Sequence, residues 1–404
     1  MKAGWVTKKL GDVTTKIGSG ATPLGGEEAY KTEGISLIRS LNVYDDGFRK
    51  AKLARIDDEQ ADGLSNVIVE PHDVLLNITG ASIARCCLAP ADSLPARVNQ
   101  HVSIIRPIKG KLDSAFLRYL LISKSYKDRL VHTGEEGGST RQAITKAQLQ
   151  EFVVEYPESL PEQQRIVGIL DEAFEGIATA KANAEKNLHN ARALFESHLQ
   201  SVFAQRNDSP AVPIGDVAEV FDGPHATPKT VDAGPVFLGI SALQDGKINL
   251  GETRHVTPQD FRQWTRRVKP QTDDVVFSYE TRLGQAAIIP EGLECCLGRR
   301  MGLVRVNRKR VDPRFFVYQY ISPPFRKFLD SKTVRGATVD RIALKEFPSF
   351  PVSLPSLAEQ ERRTRRLDKL RAETQRLEFI YQQKLAALDE FKKSWLHQAF
   401  SREL

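Results

Sequence analysis

The sequence predicts an α+β protein: two mixed, strand-dominated domains separated by two long helices that pair antiparallel as a coiled coil, forming an internal repeat about a pseudo-twofold axis. Three observations carry this reading. Two stretches, each of roughly forty residues, place apolar side chains at alternating steps of three and four, the seam of a coiled coil. Both stretches open on the same short motif, half the chain apart. The segments before them repeat one order of turns and β-branched runs, and a repeat at that scale decides an architecture before any single element does.

The first domain is expected over residues 1–157. It opens on Leu10-Gly11-Asp12-Val13 and a glycine-rich loop, Gly18-Ser19-Gly20-Ala21-Thr22-Pro23. An apolar run, Ile35 to Leu41, closes on Asp45-Asp46-Gly47; further strands are expected at Val69–Leu76 and Val102–Arg106. Short β-branched runs split by Gly, Pro and Asp read as strands and turns. A short helix follows over Ser114–Leu130, then a polar loop, Gly138-Ser139-Thr140-Arg141-Gln142.

The central helix is expected over 158–206. It begins Leu160-Pro161-Glu162-Gln163-Gln164-Arg165-Ile166. Proline suits the first turn, where its missing N–H costs nothing, and Glu162 favours the positive end of the helix dipole. Ile166, Ile169/Leu170, Ala173, Ile177, Ala180, Ala184, Leu188, Ala191, Leu194/Phe195, Leu199 and Val202/Phe203 mark the seam, with no proline until Pro210. Roughly 40 residues make a rod of about 60 Å. A polar linker, Gln205 to Pro210, ends it.

The second domain, 210–354, repeats the first. Ile214-Gly215-Asp216-Val217 is followed by Asp222 to Pro228, and Val236 to Leu243 closes on Asp245-Gly246. Val268–Phe277, Gly302–Val306, a helix over Pro313–Leu329 and the loop Gly336–Ile342 complete the match. The last helix, 355–404, opens Leu357-Ala358-Glu359-Gln360-Glu361-Arg362. Its seam is expected at Leu367, Leu370, Thr374, Leu377, Tyr381, Leu385, Leu388, Phe391 and Trp395. Two helices with similar apolar stripes bury both most economically against each other.

With 404 residues, 41% of them hydrophobic, the chain holds enough apolar material for two or three domains. Its 58 Lys and Arg against 51 Asp and Glu give +7, leaning towards a polyanionic partner. The four cysteines form two vicinal pairs, Cys86-Cys87 and Cys295-Cys296, with no metal-binding spacing. They read as reduced, buried thiols of a cytoplasmic protein. Neither a signal peptide nor an apolar stretch of membrane-spanning length is expected.

No catalytic motif emerges. The glycine-rich loop lacks the third glycine and the acidic partner of a dinucleotide fingerprint, and there is no P-loop, HExxH or GxSxG. Ser322-Pro323-Pro324-Phe325 matches the tetrapeptide with which amino-methyltransferases hold their target, but no cofactor loop accompanies it; it reads as a proline-started helix. No metal site is expected. What recurs is polar and basic decoration on the turns of each domain. In the first half the candidates for DNA binding are Thr22, Arg39, Asn42, Asn77, Thr79, Arg85, Asn99, Gln100, Arg141 and Gln142. In the second they are Thr227, Ser241, Tyr279, Arg282, Arg299, Arg300, Arg335 and Thr338. Arg, Asn and Gln make bidentate contacts to base edges, while Lys, Arg, Ser and Thr bind phosphates. The framework repeats and the decoration differs, as expected of two readers of different sequences.

In this order, and twice over, these motifs resemble the specificity subunits of type I restriction-modification enzymes. The resemblance rests on the domain openings with Thr22-Pro23 and Thr227-Pro228, on Gly138-Ser139-Thr140-Arg141, and above all on Leu160 to Ile166. It spans essentially the whole chain. The second copy departs in lacking the proline of the helix opening and the arginine of the loop. The resemblance implies two target-recognition domains, each reading half of a bipartite double-stranded DNA site, with helices that set the spacing. It also implies a non-catalytic subunit that recruits two methyltransferase subunits, and often two restriction-translocase subunits. S-adenosylmethionine, ATP and Mg2+ would then serve DNA methylation and cleavage in those partners, with no cofactor bound by this chain. The alternatives are a stand-alone DNA methyltransferase or nuclease, and a coiled-coil adaptor without a DNA role.

Overall fold

In the computed structural model the two long helices run from Leu160 to Ala204 and from Leu357 to Phe400. The structure describes residues 4–135, 142–204, 210–336 and 339–401. The chain forms two units, one of residues 1–184 with 384–404, the other of residues 185–383. Each long helix therefore gives one part of its length to each unit.

The first unit is built on a four-stranded antiparallel sheet in the order Thr14–Ser19, Val102–Pro107, Val74–Asn77, Cys86–Leu88. A three-stranded sheet lies beside it: Ile35–Ile38 pairs antiparallel with Ala54–Ile56 and parallel with Ala96–Val98. Alternate residues of a strand face opposite ways, and the core divides accordingly. Val74, Leu76 and Ile105 join Phe116, Leu117 and Leu120 in one cluster; Leu75, Val102 and Ile104 join Leu37, Ile56 and Val98 in another. A two-stranded ribbon, Trp5–Lys9 with Val153–Pro157, delivers the chain to the central helix.

The second unit repeats this layout. Its four-stranded sheet runs Ala218–Asp222, Met301–Val306, Val275–Ser278, Ala286–Ile288. Val231–Leu238 pairs antiparallel with Arg254–His255 and parallel with Cys295–Leu297, and Ala211–Pro213 pairs with Pro351–Ser353. Val275, Phe277 and Val304 pack on Phe316, Val317 and Tyr320, while Val276 and Leu303 face Leu238 and Leu297.

Within each unit the two helix segments run antiparallel. In the first, Ile166 and Leu170 share a core with Leu396 and Ala399, the Lys392 ammonium lies 5.0 Å from the Phe174 ring centre, and Lys181 pairs with Asp389. In the second, Arg192 pairs with Glu378 at 3.1 Å, the Arg371 guanidinium lies 5.7 Å from the Phe195 ring centre, and Leu199 packs in the same core as Leu367. As one helix advances its partner recedes.

Two expectations are corrected. The seam of the last helix uses buried Thr364, Leu367, Arg371 and Thr374 and half-buried Glu378, Tyr381, Leu385, Leu388, Lys392 and Trp395. Leu377 and Phe391 are exposed instead. The steps still alternate three and four, but the register follows charged residues that find partners across the pair. The single short helix expected after each sheet is also broken. Ser114–Ile122 and Lys124–Glu135 are separate helices, as are Pro313–Ile321 and Pro323–Ser331. The breaks fall at Ser123 (φ −64°, ψ 146°) and Ser322 (φ −67°, ψ 148°), both extended. Pro323 imposes that conformation on Ser322; Ser123 adopts it without a proline, and its hydroxyl donates to the Leu120 carbonyl at 2.6 Å.

Candidate nucleic-acid interface

Strand register gathers the candidate residues. Asn77 pairs with Val102, and Ser19 with Ser103, so the loops after Ser19, after Asn77 and before Val102 leave the same end of the first sheet. In the second unit Ser278 pairs with Met301 and Asp222 with Gly302, gathering the loops after Asp222, after Ser278 and before Met301. Glycine makes the close approach possible: a Cβ on Gly20 would lie 2.0 Å from the Val98 carbonyl oxygen, and one on Gly298 2.2 Å from that of Leu238.

Several first-half candidates prove to be part of the frame. Asn42 and Asn77 are fully buried. Asn42 accepts from the Arg39 N–H at 3.0 Å and donates to the Arg49 carbonyl at 2.8 Å; Asn77 donates to the Ser40 carbonyl at 2.9 Å. Asn99 is buried and accepts from the His101 N–H at 3.0 Å, shaping the turn. Arg39 is held by Glu27 at 2.9 Å and by the Lys52 carbonyl at 2.8 Å, its guanidinium 5.0 Å from the Tyr30 ring centre. Arg85 stacks at 4.7 Å on Tyr44.

The remaining described candidates of that half meet at the sheet end. The Thr22 hydroxyl donates to the exposed Gln100 at 2.6 Å, Thr79 and His101 share a 2.6 Å hydrogen bond, and Gln142 donates to Glu135 at 3.0 Å while its own carbonyl accepts from the Gly80 N–H. Arg141 and Thr338 lie outside the described residues, as does most of the Gly138–Gln142 loop.

The second half is more highly charged. Arg300 lies 2.9 Å from Glu280 and carries a left-handed φ of 73°. Arg299, next to it, is exposed. Buried Tyr279 donates to Asp222 at 3.0 Å, and His225 lies 2.9 Å from the same carboxylate. Burial, reinforced by the Asp222 charge, pushes the Tyr279 phenol up, so it stays a donor. Arg282 donates to the Ser241 carbonyl at 2.9 Å and orders that turn; Thr227 is exposed, and Arg335 pairs with Asp330 at 2.5 Å. Asp222, His225 and Glu280 carry no signal in the sequence: two are acids, whose charge repels phosphate, and the histidine gains its place through Asp222.

Each sheet carries a matched ion pair. Arg106 makes a bidentate contact to buried Asp73 at 2.7 and 2.9 Å, and Arg305 does the same to Asp274 at 2.9 and 2.7 Å. Arg305 is thus committed to the frame. The Ser322 tetrapeptide is a helix start: Ser322 is fully buried, donates to the Gln319 carbonyl at 2.6 Å and caps Phe325. Among the described residues no group of His, Cys, Asp and Glu could hold a metal ion, and no helix is long and apolar enough to cross a membrane.

Comparison with known proteins agrees with this duplicated frame. The family described as type I restriction modification DNA specificity domain matches residues 2–188 and again 211–385. The chain is 21% identical, over 90% of its length and 86% of the relative's, to a putative type I restriction enzyme MjaX specificity subunit of Methanocaldococcus jannaschii. It is 25% identical to the EcoBI specificity subunit of Escherichia coli over 42% of this chain and 36% of that one. Among solved structures, a chain described with the complex assembly and conformational transition of the type I R-M system superposes with a TM-score of 0.73 at 18% identity, covering 99% of this chain and 98% of its own. The HsdS subunit of Thermoanaerobacter tengcongensis gives 0.64 at 18%, covering 100% and 98%. With two copies of the family's domain covering most of its length, the chain belongs to the type I restriction-modification DNA specificity family and serves DNA sequence recognition.

Proposed function

We propose that each domain reads one half of a bipartite, asymmetric site in double-stranded DNA, through the loops gathered at the end of its four-stranded sheet. The observation that carries this is a frame repeated in strand order, register and internal ion pair, bearing loop residues that differ between the halves. Base edges in the major groove are told apart by such side chains, and phosphate contacts fix the register. The helix pair sets the gap between half-sites and docks two methyltransferase subunits, joined in complexes that cleave by two restriction-translocase subunits. Catalysis, with S-adenosylmethionine, ATP and Mg2+, belongs to those partners, and the complex works in the cytoplasm.

Replacing residues 10–150 by the equivalent segment of a relative should change one half-site and leave the other intact, read by sequencing methylated bases in DNA treated with the assembled complex. A change in both half-sites would end the two-reader proposal. The purified chain alone should transfer no methyl group; turnover abolished by Pro323→Ala would restore the methyltransferase alternative.

A further inference from the structure

One position recurs in the two loop clusters. In the first unit, strand Ala96–Val98 of the three-stranded sheet passes to strand Val102–Pro107 of the four-stranded sheet through Asn99, Gln100 and His101. In the second, Cys295–Leu297 passes to Met301–Val306 through Gly298, Arg299 and Arg300. The strands on either side have the same neighbours in the same register, so the tips correspond residue for residue.

The third residue of each tip is anchored. His101 is bonded to Thr79, and Arg300 is paired with Glu280; Thr79 and Glu280 stand at matching places, two beyond Asn77 and Ser278. The first residue is committed as well: Asn99 is buried under the turn, and Gly298 has no side chain. Only the middle residue is exposed in both tips, Gln100 in one and Arg299 in the other. The Gln100 carbonyl oxygen accepts from Thr22, which orients the amide and leaves its N–H2 and an oxygen lone pair outward. Arg299 makes no hydrogen bond or ion pair among the described residues; it is exposed, close enough for its charge to act on Tyr279, and its five donors are uncommitted there.

Resting on the DNA-reading function proposed above, we infer that residues 100 and 299 are the matched specificity-determining pair of the two domains, Gln100 reading an adenine of one half-site and Arg299 a guanine of the other. The chemistry follows from the groups presented. A carboxamide can donate to adenine N7 while accepting from N6, and a guanidinium fork can donate to guanine O6 and N7 at once. The anchored neighbours hold each tip against the reaction of its own charge or dipole, so the readout atom arrives already placed.

The test exchanges the two side chains. Full-length Gln100→Arg and Arg299→Gln variants, each assembled with the methyltransferase subunit, would select bound duplexes from a random library. For Gln100→Arg, one adenine position of one half-site should turn to guanine, with discrimination on the order of tenfold or more, the other half-site unchanged. Arg299→Gln should do the converse in the other half-site. Both residues are exposed, so folding should survive, checked by unchanged thermal unfolding. Variants that bind but keep the wild-type site overturn the assignment. So does a uniform loss across sequences with a shallower salt dependence, which would place the residue on phosphate. A wild-type complex with no preferred sequence would instead defeat the underlying function, and the assignment with it.

Discussion

Cys86 and Cys87 are neighbours on one strand, so they face opposite sides of the sheet: Cys86 lies with Val74 and Phe116, Cys87 with Leu37 and Val98. Cys295 and Cys296 are divided between two clusters in the same way. All four are free and buried, and burial pushes the Cys87, Cys295 and Cys296 thiols up to about 12 and Cys86 up as well. The thiolate is the reactive form. Intact protein at pH 8 should therefore leave all four unmodified by an alkylating reagent over hours, and denatured protein should take up four adducts, read by mass spectrometry. Glu359 offers an opposite case. Hydrogen bonds from Arg362 and Arg363 hold its carboxyl down to about 2. A depressed carboxylate stabilises the fold above its ordinary value of about 4.3 and stops doing so as pH falls through the folded value. NMR titration should find its midpoint near 2, and added salt should move it back towards the ordinary value, because the pair faces solvent. At this scale sequence was a partial guide. A carboxamide that frames a loop and one left open at a loop tip look alike as letters, and burial separates Asn42 and Asn77 from exposed Gln100.

The elements explain why the helix openings were the most legible part of the sequence. In the first opening the working residue is Gln163, fully buried. Its amide donates to the carbonyls of Lys111 (3.0 Å) and Pro157 (2.8 Å), and its oxygen accepts from the Asp113 N–H at 2.8 Å. Gln360 repeats all three contacts, to Arg310, Pro355 and Asp312, at 2.9, 2.8 and 2.9 Å. Asp113 and Asp312 in turn cap the first helix after each sheet. One glutamine thus ties the start of a long helix to the chain just before it and to the domain's own helix, and both copies carry it although only the first has the proline. Gln163→Ala or Gln360→Ala would strand buried backbone groups, each costing about 1–3 kcal/mol. Each variant should lower the midpoint of thermal unfolding, and Gln→Glu should not rescue it, because the carboxylate loses the donor that two carbonyls need. The seam was less legible. The apolar pattern points to Leu377 and Phe391, whereas the pair is registered by Arg371, Glu378 and Lys392, whose stems pack and whose charged ends find Asp245, Arg192 and Phe174. Long charged side chains cover apolar surface as well as bearing charge, and a hydrophobicity pattern discounts them.

For the whole molecule, the repeat was readable because both copies must meet the same packing demands, while the bases they read leave no such mark. The helix pair offers the sharpest test of how the copies work together. If it sets the gap between half-sites, lengthening both helices equally should lengthen the gap. Lys181 pairs with Asp389, so insertion sites at Asn183 and Ala387 face each other across an antiparallel pair. Four residues at each site add about 6 Å of helix. They exceed one turn of 3.6 only slightly, so both seams continue as a tolerated stutter. At about 3.4 Å per base pair the rise suits one or two more base pairs. Twist argues for the same small number. Each added base pair turns the distant half-site by about 35° around the DNA axis, with 10–10.5 base pairs per turn, and a stiff pair of helices follows one or two such steps more readily than three. A heptad in each helix would keep a better seam but ask for about three base pairs, and with them about 100° of rotation. The four-residue variant should therefore keep both half-site sequences and lengthen the gap by one or two base pairs. The heptad variant should assemble normally and methylate poorly. Both are read from the methylated sites of cells that carry the variant with its methyltransferase partner. An active four-residue variant with its original gap would show that the helices serve docking alone and that the DNA bends or slides to meet the readers.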